Sequence, residues 1–266
     1  MPELPEVETI KRELEKSVTG KTIRRVIINN PRIIREPSPE KFARGLQGKT
    51  ITKILRRAKV LILELSGGNA LVMHLKMTGQ LVYPGNGKGS RVSFEFSDSS
   101  ILDFNDNRLF AELRLLDDWK DLKFIRELGP EPFDITQEQF SALLSPRTTK
   151  IKVLLMDQTV ISGIGNLYAA EMLFAARIDP RRPAKSLSGG EKERLFKAMR
   201  EVLTQAIQYK GSSVDNYVQL SGKPGGYVPY HRVYGREGKS CPGCEGKVKR
   251  IALGGRGTYF CPSCQK

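Results

Sequence analysis

Long apolar runs are missing from this 266-residue sequence. No stretch approaches the ~20 residues that a helix needs to cross a bilayer, which excludes an α-helical integral membrane protein. The first ten residues, MPELPEVETI, lack the basic-then-apolar pattern of a secretory signal, so a secreted protein is not expected and the cytoplasm is. Cysteine is scarce, with four in all and none before residue 241. A chain of this length buries enough core to fold as one large or two ordinary domains without disulfide staples. Acidic side chains are also in short supply: 29 Asp and Glu against 44 Lys and Arg leave a net charge of +15. That imbalance points to a polyanionic partner without naming it. At 39% hydrophobic and 27% charged, the composition excludes a disordered chain. Internal repeats and low-complexity tracts are absent.

The positive charge is uneven. Residues 1–130 carry 23 basic and 17 acidic side chains, residues 131–220 carry 12 and 10, and the last 46 residues carry 9 and 2. A basic tail is most simply a solvated segment, but this one holds every cysteine. Cys241-Pro-Gly-Cys244 and Cys261-Pro-Ser-Cys264 are separated by sixteen residues. Each CxxC knuckle presents two thiolates, and two knuckles supply the four sulfurs of a tetrahedral zinc site. The alternative, two disulfides, suits a secreted chain better than this one. The intervening residues fit a hairpin, with KVKRIAL as one strand, GGRG as the turn and TYFC as the return, so one structural zinc ion would hold a small basic ribbon rigid with Arg256 at its tip.

Periodicity divides the rest. Val7, Ile10, Leu14 and Val18 form one apolar helical face, with Pro5 suited to the first turn and Gly20 to the exit. From residue 22 the pattern changes to short β-branched segments: TIRRVIIN, TITKILRR, KVLILELS, ALVMHLKM, RVSFEFSD and SILDFND. FEFSDSSILDF reads as a hairpin turning at Asp98–Ser100. GPEPFD (129–134) reads as a linker. TQEQFSALL, KIKVLLMDQTV, NLYAAEMLFAARI and SGGEKERLFKAMREVLTQAIQY then read as successive amphipathic helices. ISGIGN between two of them offers a glycine turn and Asn166 as an N-cap, a geometry that either binds phosphate or merely joins helices. The long connection 211–235 is rich in Gly and Tyr. The expected fold is α+β. An N-terminal antiparallel β-sandwich with a leading helix would occupy residues 1–130 and a helical domain 131–220. The end of a loop and the zinc ribbon would fill 221–266.

Pro2 gains chemical meaning if Met1 is trimmed. The chain then begins with a secondary amine whose pKa, roughly 8, leaves a useful neutral fraction near neutrality. Such an amine attacks an aldehyde-level carbon to form an iminium, the positive end of the following helix would lower its pKa further, and Glu3 could serve as a general acid. From the residues alone, a Pro-Glu start is most simply an ordinary terminus.

MPELPEVETI, RRAK, HLKMTG, LGPEP, MDQTVISGIGNLYAAE, VYGREG and GRGTYFCPSCQ occur here in that order. In this the chain resembles the bacterial formamidopyrimidine-DNA glycosylases from its second residue nearly to its last. The resemblance implies a monomeric base-excision repair enzyme with a helix–two-turn–helix domain, acting on duplex DNA. It would remove oxidised purines, such as 8-oxoguanine and formamidopyrimidines, then cleave the strand by β,δ-elimination. It implies Pro2 as the nucleophile at the sugar C1′, Glu3 as the acid for ring opening, and Lys59 and Arg256 in the eliminations. Glu6 and Glu171 would support the active site. Arg147, Lys152, Asn166 and Tyr234 would contact phosphates. Met77, Arg108 and Phe110 would fill the gap left when the nucleotide is extruded. On residue type alone, Met77 and Phe110 would ordinarily be core residues, and Lys59, Arg147 and Lys152 ordinary surface charge.

Three departures stand out. Asp106-Asn-Arg-Leu-Phe-Ala111 replaces the family's DPRRFG, GKGSR (residues 87–91) replaces a stretch that often carries histidine, and Ala170 replaces an acidic residue. They bear on partner-base readout and lesion preference. Two other readings are an endonuclease VIII-like enzyme for oxidised pyrimidines and a non-catalytic binder of damaged DNA.

Overall fold

The computed structural model describes residues 1–266, which fold as two units. One comprises residues 1–126 and 207–226, the other residues 127–206 and 227–266. The boundary expected near residue 130 falls at Arg126, and GPEPFD is no loose linker, because Gly129 N–H donates to Gln158 O and Ser162 N–H to Pro130 O. Residues 207–226 differ from expectation by packing in the first unit, and the ribbon groups with the helices. The reason for the first difference is specific. Ser212 N–H donates to Glu6 and Leu220 N–H to Glu13, while Tyr217 and Leu220 join the core of the first unit.

The first unit opens with α1 (Leu4–Val18), then β1 (Ile23–Ile28), β2 (Ile34–Glu36), α2 (Pro39–Leu46), β3 (Ile51–Arg57), β4 (Val60–Leu65), β5 (Ala70–His74), β6 (Gly79–Val82), β7 (Val92–Phe96), β8 (Ile101–Asp106), β9 (Glu112–Leu116) and the short α3 (Lys123–Arg126). Two sheets, ordered β1-β7-β8-β6 and β2-β9-β5-β4-β3, make a sandwich. Every pair is antiparallel except β2 with β9, which is parallel. Alternation explains the layers. Leu61, Leu63 and Leu65 face the common core with Val7, Ile10 and Leu14 of α1, whereas Val60 and Ile62 form a second apolar layer with Val72 and Ile125. The β7–β8 hairpin turns where the sequence predicts, with Phe96 N–H donating to Ser100 O and Ser99 at φ +66°.

The second unit contains α4 (Gln137–Leu144), α5 (Ile151–Leu155), α6 (Asn166–Ala175) and α7 (Gly189–Gln208), whose last two residues pass into the first unit. It ends in the hairpin of β10 (Lys249–Leu253) and β11 (Arg256–Phe260). Gly254 and Gly255 form the hairpin turn at φ +57° and +71°, a conformation that strongly favours glycine. The tip is therefore Gly254–Gly255, with Arg256 opening the return strand. Asn166 is also displaced from its expected place: Gly165 is the N-cap of α6 and Asn166 its first helical residue, because the Asn166 side chain is engaged elsewhere. No helix is long and apolar enough to cross a membrane.

Candidate functional site

Pro2 and Glu3 sit at the head of α1. Glu3 is the N-cap and Glu6 the third helical residue, and the two close a reciprocal capping box in which Glu3 N–H donates to Glu6 Oε2 at 2.8 Å. The second oxygen of Glu6 accepts Ser212 N–H at 2.9 Å. Pro2, Glu3 and Glu6 are all buried. Glu6 thus fixes the helix start and the base of the 211–226 connection with one carboxylate. Met1 is 39% exposed, and its ammonium lies 3.7 Å from Asp215 Oδ2.

Lys59 belongs to the two-residue turn between β3 and β4, where Arg57 pairs with Val60. Ala58 takes φ +51° there. Arg56 braces the turn, donating from Nη1 to Ala58 O at 2.9 Å and from Nε to Glu8 of α1 at 2.8 Å. This Arg56–Glu8 pair, with 11% and 15% of the side chains exposed, ties the helix carrying Pro2 to the turn carrying Lys59. Arg56, three residues before Lys59, is the half of this brace that RRAK contains, but Glu8 has no sequence signal of its own. His74 has none either. Burial, reinforced by the positive charge of Lys76, pushes its pKa down to about 3, so it is a neutral imidazole. Its Nδ1 accepts Lys76 N–H at 3.0 Å.

Met77 lies in the turn between β5 and β6, and Arg108 and Phe110 in the loop between β8 and β9. The Arg108 guanidinium carbon is 4.7 Å from the Phe110 ring centroid, a cation–π pair. Phe110 is 49% exposed, which no core role accounts for.

In the second unit the predicted residues fall into two groups. Lys152 is 1% exposed, and its ammonium donates to Asn166 Oδ1 (2.6 Å) and Thr258 Oγ1 (2.7 Å) and approaches Gly257 O at 3.4 Å. Asn166 Nδ2 donates to the same carbonyl of Gly257 at 3.1 Å. The sequence reading places Lys152 among the phosphate contacts; here its ammonium faces Asn166, Gly257 and Thr258. Its charge is buried and hydrogen-bonded, so it is a strut joining α5, the start of α6 and the strand that follows Arg256. Arg256 and Arg147 are exposed. Glu171, buried in α6, accepts the N–H groups of Arg232 (2.8 Å), Val233 (3.0 Å) and Tyr234 (2.7 Å). Burial raises its pKa, against the opposing pull of those three donors. Tyr234 stacks edge-on with Tyr259 of β11, at 5.1 Å between centroids.

The four cysteine sulfurs lie within 4.8 Å of one another. Cys241 and Cys264 are 3.6 Å apart, as are Cys244 and Cys261, far beyond a disulfide bond of about 2.05 Å. Tetrahedral Zn–S bonds of about 2.3 Å would put sulfurs about 3.8 Å apart. The donor set fits one structural zinc ion. Gly243 N–H and Gly246 N–H point at the sulfurs of Cys241 and Cys244, the outer hydrogen bonds such thiolates need.

Three family models match the chain: the formamidopyrimidine-DNA glycosylase N-terminal domain over residues 1–113, the H2TH domain of the same enzymes over 128–218, and the zinc finger found in FPG and IleRS over 238–266. A formamidopyrimidine-DNA glycosylase of Pelotomaculum thermopropionicum is 41% identical over 100% of this chain and 99% of its own length. The chain belongs to the formamidopyrimidine-DNA glycosylase family. Another member, from Moorella thermoacetica, is 45% identical over 94% of both chains. Among solved members, the MutM (Fpg) protein of Thermus thermophilus superposes with a TM-score of 0.89 at 40% identity, covering 99% of this chain and 98% of that one. A Lactococcus lactis variant in complex with Fapy-dG-containing DNA superposes with a TM-score of 0.91 at 35% identity over the whole of both chains.

Proposed function

We propose that this chain is a base-excision DNA glycosylase and abasic-site lyase that removes oxidised purines, 8-oxoguanine and formamidopyrimidines, from duplex DNA. The observation that carries this reading is the Pro2–Glu3 pair set at the capped head of α1, in a chain matching glycosylases along its whole length. It acts as a monomer in the cytoplasm, on DNA.

Removal of Met1 frees the Pro2 amine. Its lone pair attacks the sugar C1′, the N-glycosidic bond breaks with its electron pair leaving on the base, and the base takes up a proton. Glu3 donates a proton to the ring oxygen as the ring opens, leaving an iminium between Pro2 and C1′. Loss of a proton from C2′ expels the 3′ phosphate, and loss of one from C4′ expels the 5′ phosphate. Lys59 and Arg256 serve these eliminations, with Arg256 also gripping the flanking phosphates. Hydrolysis of the iminium returns Pro2. Met77, Arg108 and Phe110 fill the vacated stack, and Arg147, Asn166 and Tyr234 bind phosphates. Lys152 acts through Asn166 and the ribbon. The zinc ion supplies no chemistry and holds the hairpin that presents Arg256.

Borohydride trapping tests this reading. A covalent adduct with duplex DNA containing 8-oxoguanine is expected from the wild type and not from Pro2→Gly. Equal trapping by the variant would remove Pro2 as nucleophile, and no trapping by either would leave only a DNA binder. A second substrate class has a specific support: a Lactococcus lactis relative is solved with DNA containing an oxidised pyrimidine. A parallel panel of 8-oxoguanine and thymine glycol ranks the two.

A further inference from the structure

Asp106 is 1% exposed, and both of its oxygens are committed to the loop that follows it. Oδ2 accepts Ala111 N–H at 2.7 Å, and Oδ1 accepts Arg108 N–H at 3.1 Å. These bonds pin both ends of residues 107–110, and Leu109 within is held at φ +57°. Oδ1 also accepts the hydroxyl of Thr78, itself 7% exposed, and Thr78 Oγ1 in turn accepts Arg108 N–H at 3.3 Å. Thr78 directly follows Met77 in a turn closed by Gly79 N–H donating to Leu75 O. A Cβ on Gly79 would lie 2.6 Å from that same carbonyl oxygen, so this close turn admits no side chain there. Arg91 adds a further tie, donating from Nε to the Asp106 carbonyl at 3.0 Å.

Two loops from different strand pairs are thus locked through one buried hydroxyl–carboxylate contact. One carries Met77 and the other carries Arg108 stacked on Phe110. We infer that Thr78 and Asp106 are positioning residues that fuse these loops into one preformed wedge, so that all three side chains enter the vacated stack together. This rests on the void-filling role proposed above for Met77, Arg108 and Phe110. It also gives GKGSR and DNRLFA a physical account. Arg91 is used to brace Asp106, while the replaced positions 107, 109 and 111 leave the pinning carboxylate in place.

The test separates work on a paired lesion from work on an exposed sugar. Thr78→Val keeps the side-chain shape and deletes the hydroxyl, and Thr78→Ser keeps the hydroxyl. Substrates are a duplex with 8-oxoguanine opposite cytosine and a single-stranded oligonucleotide with one abasic site, which has no stack to fill. Thr78→Val should lower kcat/KM on the duplex by about 10-fold, as expected for reacting groups held slightly out of place. It should keep wild-type borohydride trapping of the single strand, and Thr78→Ser should restore the duplex rate. If Thr78→Val fails to fold, Thr78→Ala carries the same comparison. Wild-type rates on both substrates would overturn the inference, as would equal loss on both by a folded variant. An Arg108→Ala/Phe110→Ala double variant keeps the underlying reading distinguishable. If it loses the duplex while Thr78→Val does not, only the inference fails. If it loses nothing, the void-filling role fails with it.

Discussion

Glu171 Oε1 accepts the backbone N–H of Tyr234 at 2.7 Å, across 63 positions of sequence. The same carboxylate holds Arg232 and Val233, so one buried side chain of α6 sets the path of the segment that presents Tyr234. Glu171→Ala leaves three N–H groups without their acceptor, and unsatisfied buried donors cost about 1–3 kcal/mol each. Urea denaturation should show a loss of about 3 kcal/mol, and fluorescence anisotropy weaker binding to an abasic-analogue duplex. Glu171→Gln, which retains one acceptor oxygen, should fall between. A folded Glu171→Ala protein with wild-type affinity would separate Tyr234 from DNA binding.

Lys152 and Arg256 are both cations near the start of β11, but their environments predict opposite signatures. Arg256 is exposed, so Arg256→Ala should weaken DNA binding and reduce the slope of log K against log salt by about 1, the effect of losing one phosphate contact. Lys152 already spends its donors on Asn166 and Thr258. Lys152→Met should lower the melting temperature, because it strands polar groups that the ammonium now satisfies. It should leave the salt slope unchanged even where affinity falls. A reduced slope for Lys152→Met would restore it to the phosphate contacts.

This lysine and arginine show what is legible in the sequence and what is not. The helix at Val7–Val18 and the long strands can be read because one-sided burial imposes a period on them. The four cysteines can be read because metal geometry fixes their spacing. β2 and β6 escape such a reading: in segments as short as Ile34–Glu36 or Gly79–Val82 there is too little length for a period to show. The burial of Lys152 is not legible in the sequence, because nothing there distinguishes a buried ammonium from a solvated one. Its partners, Asn166 and Thr258, are 14 and 106 positions away. Asp106 and Thr78 are silent for the same reason, as hydrogen bonds between loops leave no periodic trace.

The chain has two histidines, His231 buried and His74 half-buried, and both are held as neutral rings. Burial pushes His74 down to about 3 and His231, packed between Tyr227 and Tyr234, to about 4. Their ordinary value is 6.5, so below that pH the unfolded chain takes up protons that the folded chain refuses. The stability tied to the neutral rings is complete above pH 6.5 and is lost as pH falls toward 4, at up to about 1.4 kcal/mol per pH unit for each histidine. Melting temperature should therefore drop between about pH 7 and about pH 5. His231→Gln should flatten that drop, whatever its effect near neutrality. An unchanged slope would mean that His231 is protonated in the folded state.

Zinc removal should act beyond the ribbon itself. Cys241 and Cys261 pack in one apolar cluster with Ala170 and Phe174 of α6 and with Val233, next to Tyr234. Without the metal, four thiolates held within 4.8 Å repel one another or take up protons, and the hairpin loses the bonds that anchor both of its ends. Cys244→Ser should bind less than one zinc per chain and lose DNA affinity. Hydrogen exchange should show β10, β11 and residues 232–234 losing protection together, while the sandwich strands β4 and β5 keep theirs. Protection lost only within the ribbon would mean that Glu171 alone holds the Tyr234 segment. Full DNA affinity in a zinc-free protein would mean that Arg256 needs no rigid hairpin to reach its phosphates.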